Sequence, residues 1–251
     1  MTSCICPLEE ASALGPGLVG GKAAALGTLI KIGMPVPPGF VIHANGTATS
    51  STWREEVLAA FERLGAEHVA VRSSATCEDG KAMSWAGELE TFLNVPRELL
   101  LDRIQACVDS LDSPRAKTYR ALHDLDQSAI GVAVVVQAMI PAEQAGVVFT
   151  MHPVTGNREH VVVEAGPGLG EAVVGGEIIP DTYVLEKGTA RIVDGPEGIP
   201  LLTGVELAQL LELCQRIENH FAFPCDIEWA KVGEQFFILQ ARPITTTYGK
   251  S

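Results

Sequence analysis

An α+β fold in two lobes is what this sequence predicts, and three observations carry that reading. Stretches with helical period alternate with short apolar or alternating runs in both halves of the chain. Near 130–140 helices give way to strands, so a lobe boundary falls there. We place the first lobe at 1–135 and the second at 136–251. The chain has 251 residues, 47% of them hydrophobic, enough to build a core in two lobes of that size.

The elements follow in order. The N-terminus reads as irregular. Gly20-Gly21-Lys22 then opens a helix over Ala23–Ile32, stopped by Gly33. Pro35 to Gly39 is a turn into a short strand, Phe40–Ile42, and small polar residues 44–52 form a loop. Trp53–Leu64 reads as an amphipathic helix and His68–Ser73 as a strand. A Gly-, Ser- and Ala-rich loop runs to about Glu88, and Glu90–Val95 resumes as a strand. Residues 97–124 are helical by period, broken at Pro114. Gly131–Ile140 is an apolar strand that Pro141 stops. Strands are expected at Gly146–Thr150, His160–Glu164, Thr182–Glu186 and Thr189–Val193, with a loop at 166–170. Gly204–Phe221 is a helix whose apolar positions include Val205, Leu207, Leu210, Leu211, Leu213 and Ile217.

Bulk properties exclude some classes. A net charge of −13 argues against a broad nucleic-acid footprint, which needs a basic face. The six cysteines form no C-x-x-C pair and no zinc template, so reduced thiols in a cytoplasmic protein are expected. No signal peptide is visible. The longest apolar run, near Val132–Ile140, is too short to span a bilayer, so no membrane partner is expected.

The last forty residues carry the most chemistry. Asp226-Ile227-Glu228-Trp229 and Leu239-Gln240-Ala241-Arg242-Pro243 each alternate polar with apolar, and residues 231–235 fit a tight turn between them. A hairpin symmetric about residue 234 sets Glu228 opposite Gln240 and Asp226 opposite Arg242, with Ile227, Trp229, Ile238 and Leu239 as apolar backing. Two carboxylates, an amide oxygen and a guanidinium on one face suit a hard cation beside a phosphate. A salt-bridged exposed face is the other reading of the same residues.

Further candidates lie earlier. Lys22 sits at a helix N-terminus, which favours an anion, although the P-loop template fails: Ala23 follows the lysine and the first template glycine falls on Pro16. Arg72 ends an apolar strand and is followed by Ser73, Ser74 and Thr76, which adds donors beside a costly cation. Gly80–Gly87 makes a loop able to close over a polyphosphate. Gly166-x-Gly168-x-Gly170 is not a dinucleotide fingerprint, because Glu171 stands where its third glycine belongs. The six histidines are scattered, and none pairs with a Ser or Cys nucleophile in a recognisable elbow.

Taken in order, these segments resemble one family. The matching runs are Gly20-Gly21-Lys22-x-Ala24-x-Leu26-Gly27, Val36-Pro37-x-Gly39-Phe40, Val71 to Thr76 with Glu78-Asp79, and Ala86-Gly87 with Thr91 to Val95. Gly146 to Thr150, Gly168 to Glu171, Pro180-Asp181, Asp226 to Trp229 and Gln240 to Pro243 continue the series. The whole is similar to the N-terminal ATP-grasp nucleotide-binding domain of phosphoenolpyruvate synthase, pyruvate phosphate dikinase and rifampicin phosphotransferase. The resemblance implies an ATP-grasp fold with ATP between the two lobes, and ATP and Mg2+ as cofactors. It gives Lys22 and Arg72 to the ATP phosphates, with Arg72 stabilising the transferring group, and puts Thr91 beside them under the 80–87 loop. Gln137, Ala138, Met139 and Ile140 would be the hinge strand that takes the adenine. Glu228 and Gln240 would coordinate Mg2+, with Asp226 and Arg242 close by.

Two departures from the family shape the functional expectation. The Thr-Ser-His motif that accepts the phosphoryl group in family members does not occur here. The stretches between Phe40 and Val71 and after Asp181 are short for the family. Either the acceptor histidine is on a separate protein or this chain is a fragment of a longer one, and the expected function is an ATP-dependent phosphotransfer module that delivers a phosphoryl or pyrophosphoryl group to a histidine on a separate carrier domain or subunit, for a small-molecule final acceptor. A regulatory nucleotide binder without turnover and a direct small-molecule kinase are the alternatives.

Overall fold

The structure is a computed structural model and describes residues 3–44, 46–49, 52–76, 89–122, 130–176 and 178–244. The chain divides into two compact units. One comprises Met1–Ile32 with Pro37–Met139, the other Gly33–Val36 with Ile140–Ser251.

In the first unit the N-terminus is not irregular. It forms β1 (Ile5–Pro7), a 3₁₀ turn, and a one-turn helix α1 (Ala11–Leu14). These pieces are too short for periodicity to reveal. Then follow α2 (Pro16–Lys31), β2 (Gly39–Ile42), α3 (Gly46–Thr49), α4 (Trp53–Leu64), β3 (His68–Ala75), β4 (Thr91–Pro96), α5 (Leu100–Asp109), α6 (Pro114–Leu122) and β5 (Val132–Ala138). The strands make one antiparallel sheet in the order β1-β2-β5-β3-β4. One face packs on α4 and α5: Trp53, Val57, Phe61, Leu100 and Ile104 are buried together with Ile42, Val69, Val71, Val134 and Val136. The opposite face packs on α2.

α2 contains a break that its length conceals. Gly20 has φ 77° and ψ 161°, so the working helix starts at Gly21. A Cβ on Gly20 would overlap the Ser74 carbonyl, so only glycine lets the chain pass β3 at this distance. The Ser74 hydroxyl accepts from the Ala23 backbone N–H at 3.2 Å and so caps the restarted helix from a neighbouring strand.

The second unit holds β6 (Gln144–Phe149), β7 (His160–Pro167), α7 (Glu171–Val174), β8 (Asp181–Glu186), β9 (Ile192–Asp194), α8 (Gly204–Phe221), β10 (Cys225–Val232) and β11 (Gln235–Pro243). Its antiparallel sheet runs β11-β10-β6-β7-β8-β9. The predicted strand at 189–193 lies further on, because residues 187–189 turn back beneath Glu186. α8 matches its predicted bounds because Thr203 and Glu206 form a complete capping box at its start. Leu207, Leu210, Leu211, Cys214 and Ile217 of α8 are buried, whereas Val205, expected on the apolar stripe, is 70% exposed in the first turn.

Lys231, only 6% exposed, pairs with Glu206 of α8 at 2.7 Å and donates to the Gln144 side chain at 3.3 Å. Gln144 in turn donates to the Leu201 carbonyl at 3.0 Å. This network ties the sheet to the N-terminus of α8. Among the described residues, Cys4, Cys6, Cys107, Cys214 and Cys225 are free thiols. Burial pushes Cys6 and Cys107 up to about 11 and Cys225 to about 12, so these thiols stay protonated and unreactive. No helix among the described residues is long and apolar enough to cross a membrane.

Candidate functional site

Each unit carries its own group of the expected residues. In the first, Arg72 lies on the α2 side of the sheet and is only 8% exposed. Thr91 of β4 stands directly opposite Arg72, and Val135 of β5 stands opposite it on the other side. Lys22, at the start of the restarted helix, donates from Nζ to the Ser73 carbonyl at 2.9 Å, one residue along the backbone from Arg72. Lys22, Arg72 and Thr91 are therefore gathered about the middle of β3, which runs on to Ala75 rather than ending at the arginine. The first two gather because Gly20 lets the helix run close to that strand.

Gln137 is on the same face, opposite Ala70, and only 2% exposed. Its side-chain amide donates to the Pro37 carbonyl at 3.0 Å, so the side chain is engaged in holding β5 to the turn before β2. The Ala138 N–H is taken by the Pro38 carbonyl and the Met139 N–H by that of His68. Ile140 begins the long segment of the second unit. The 80–87 loop lies outside the described residues. A cavity of about 1060 Å³ opens between β1, β2 and α4, and none of the expected site residues lines it.

In the second unit, the terminal hairpin has the expected pairing: Asp226 opposite Arg242 and Glu228 opposite Gln240. It is reached by another route. The turn is only Gly233-Glu234, since Val232 already pairs with Gln235 and Trp229 with Ile238. Such a turn alone would set Leu239 opposite Glu228. A β-bulge takes up Leu239 as an extra residue and restores the register about residue 234. Ile227, Trp229 and Ile238 are fully buried as backing, while Leu239, the bulge residue, is only half-buried.

The bulge also decides which side chains share a face. α8 covers the side with Ile227, Trp229 and Lys231. Asp226, Glu228, Gln240 and Arg242 lie on the other side, where the single turn α7 packs near Gly166. Asp226 accepts at Oδ2 from Arg242 Nε at 2.8 Å and Nη2 at 2.6 Å. Burial pushes the Asp226 carboxyl above the usual carboxylate range, Glu228 reinforces this, and the Arg242 guanidinium opposes it.

Sequence reading missed one member of this face. Following the hydrogen-bonded register from β11 inward, Gln240 is opposite Glu228, Glu228 opposite Val147, Val147 opposite Glu164, and Glu164 opposite Thr182. Glu164 is thus two strands from Glu228 in the same row and on the same face. It is half-buried, and burial together with the charge of Asp226 raises its carboxyl. The alternation of Val163, Glu164 and Ala165 was visible, but only the sheet order reveals what stands beside it.

The fold and this face together define an α+β protein built on two antiparallel sheets, with an acidic and guanidinium-bearing sheet surface in one unit and a buried arginine beside a lysine in the other. Comparison with known proteins makes the family explicit: residues 47–199 and 195–251 match the model described as the pyruvate phosphate dikinase AMP/ATP-binding domain, and the chain belongs to that family. Over 98% of its length it is 35% identical to the probable phosphoenolpyruvate synthase of Methanothermobacter thermautotrophicus, covering 46% of that protein. Over 95% it is 31% identical to the phosphoenolpyruvate synthase of Pyrococcus furiosus, covering 43%. Over 97% it is 34% identical to the rifampicin phosphotransferase of a Streptomyces species, covering 36%. The chain spans less than half the length of each of these relatives.

Proposed function

We propose that the chain binds Mg-ATP and passes a phosphoryl or pyrophosphoryl group from it to a histidine on a separate domain or subunit, as the nucleotide-binding component of a dikinase-type phosphotransferase. One observation carries the reading: Glu228 faces Gln240 beside the Asp226–Arg242 pair on a half-exposed sheet face. Carboxylate and amide oxygens are the donors a hard cation takes, and Mg2+ commonly accepts one or two from protein and the rest from phosphates and water. Among the described residues no three His, Cys, Asp or Glu side chains are grouped to hold a metal alone. That fits a cation that arrives with its nucleotide.

The bound cation would neutralise charge on the phosphoryl group in flight. The chain's own residues do the positioning. Glu228 and Gln240 hold the metal-bearing end, and Arg242, kept in place by Asp226, offers N–H donors to phosphate oxygens. In the first unit, Lys22 and Arg72 are assigned to ATP phosphates, with Arg72 on the group that moves and Thr91 beside it, and Gln137 to Ile140 to the adenine. As the P–O bond to the departing nucleotide breaks, a P–N bond forms on the carrier imidazole.

Calorimetric titration with ATP, with and without Mg2+, tests the reading. Glu228→Gln or Gln240→Ala should weaken Mg-dependent binding about tenfold or more, since each removes a charged or metal-bound contact. Arg72→Ala should abolish ATP consumption in the presence of a histidine carrier. Consumption unchanged by that substitution would remove Arg72 from the catalytic role.

A further inference from the structure

The cavity between β1, β2 and α4 lies wholly within the first unit and shares no residue with the site described above. Its volume of about 1060 Å³ is ample for a small organic molecule, whose pockets run to roughly 300–1,000 Å³. Which molecule fits depends on the lining groups that lack a partner. Glu56 of α4 is not one of them. Its carboxylate accepts from the Ser3 hydroxyl at 2.7 Å, the Cys4 backbone N–H at 3.2 Å and the Thr52 hydroxyl at 2.9 Å. Those donors satisfy the acid and tie the start of β1 to the helix.

Three other groups are unmatched. His43, just after β2, donates its backbone N–H to the Cys4 carbonyl, and so stands at the Glu56 end. Its buried Nε2 atom has no hydrogen-bond partner among the described residues. Burial lowers the imidazole from its ordinary value, with Glu56 opposing, so the ring is neutral at pH 7. Arg63 is two turns along α4 from Glu56, about 10 Å away. Glu9 follows Pro7, the residue of β1 that pairs with Phe40. Both charges line the cavity, and among the described residues neither makes a hydrogen bond or ion pair, even with the other. The remaining walls include the apolar Pro38, Phe40, Ala59 and Leu64. A simple organic anion would be drawn to Arg63 and repelled by Glu9, and a simple amine the reverse. A molecule with both charges on one head and an apolar body meets all of these groups.

We propose that this cavity binds a free α-amino acid with a large apolar side chain. Its carboxylate sits on Arg63 and its ammonium on Glu9, while the side chain lies along Phe40 and Leu64 with a polar tip towards His43. The site does not depend on the nucleotide reading and stands or falls separately from it.

Calorimetric titration of the chain with L-tryptophan, tryptamine and indole-3-propionate tests this. The three share one ring system and carry both charges, the ammonium alone and the carboxylate alone. The wild type should bind L-tryptophan about fivefold or more tightly than either analogue, the worth of one ion contact at a solvent-facing rim. Arg63→Gln should weaken L-tryptophan and indole-3-propionate by that factor and leave tryptamine unchanged. Glu9→Gln should weaken L-tryptophan and tryptamine and leave indole-3-propionate unchanged. Ala59→Trp, at an exposed position on the cavity wall, should fill the space and abolish binding of all three. The two rim variants, also at exposed positions, keep the outcome decisive if Ala59→Trp disturbs the helix. No saturable binding, equal affinity for a singly charged analogue, or L-tryptophan affinity unchanged in both rim variants overturns the proposal. So does binding that survives in a folded Ala59→Trp chain.

Discussion

At the scale of single residues, Gly20 is the position on which the first unit's site depends most. Its backbone angles belong to the region that only glycine enters at low cost, and β3 leaves no room for a side chain. Gly20→Ala should therefore destabilise the chain by roughly 3 kcal/mol or more, read by denaturant unfolding. It should also displace Lys22 from the Ser73 carbonyl. A variant of wild-type stability would mean that the break in α2 is not required. Lys22 and Arg72 were legible as candidates from their surroundings in sequence. Glu164 was not, because its neighbours on the face come from residues 147, 228 and 240, and no local pattern records cross-strand company.

Glu206 gives a second residue-scale expectation. Lys231 first, then the Thr203 backbone N–H, hold its carboxyl down to about 2. A depressed carboxyl stabilises the fold fully above its ordinary value of 4.5, and that contribution is lost as pH falls towards 2. The wild type should lose roughly 2 kcal/mol from this group over that window. Lys231→Met, which removes the main cause, should show a shallower fall. Equal slopes in urea unfolding between pH 4.5 and 2 would assign the loss to other groups.

At the scale of elements, the terminal hairpin shows how a register can be legible while its mechanism is not. Alternation in 226–229 and 239–243 reveals which residues pair. The two-residue turn at Gly233-Glu234 and the bulge at Leu239 are two offsetting irregularities, and their sum equals the symmetric loop that sequence reading assumes. Because Leu239 is the extra residue, deleting it should leave Gln240 and Arg242 on their face, opposite Glu228 and Asp226. The deletion should keep Mg-ATP affinity within about fivefold, a change of roughly 1 kcal/mol. A loss beyond a hundredfold would show that the added twist of the bulge, rather than register, aims Gln240. Long helices with clear ends were read correctly: α4 is closed by Gly65 in the left-handed region, and α8 is opened by its capping box. β1 and α1 escaped notice because three or four residues carry no measurable period.

At the scale of the whole molecule, the chain matches almost end to end a domain that makes up less than half of its relatives. If ATP binds as proposed, Mg-ATP at about a hundred times its dissociation constant should stabilise the chain by roughly 2.7 kcal/mol, a rise of several degrees in melting temperature. Glu228→Gln should lose most of that rise, measured by differential scanning calorimetry. With labelled ATP and a histidine-bearing carrier, the label should appear on protein. Label that appears on a small molecule with no phosphoprotein intermediate would replace the carrier reading by direct phosphorylation.

The sequence by itself determined the α+β class, the bounds of the capped helices, the residues of the terminal hairpin and the family resemblance, because each rests on local period, capping chemistry or short motifs. Only the tertiary structure decided that Ser74 caps a helix broken at Gly20, that a bulge turns Gln240 and Arg242 to the half-exposed face, and that Glu164 stands in line with Glu228. Those facts depend on which strands become neighbours. Strand order is set by packing α2, α4, α5 and α8 on their sheets, a long-range outcome that no window of adjacent residues encodes.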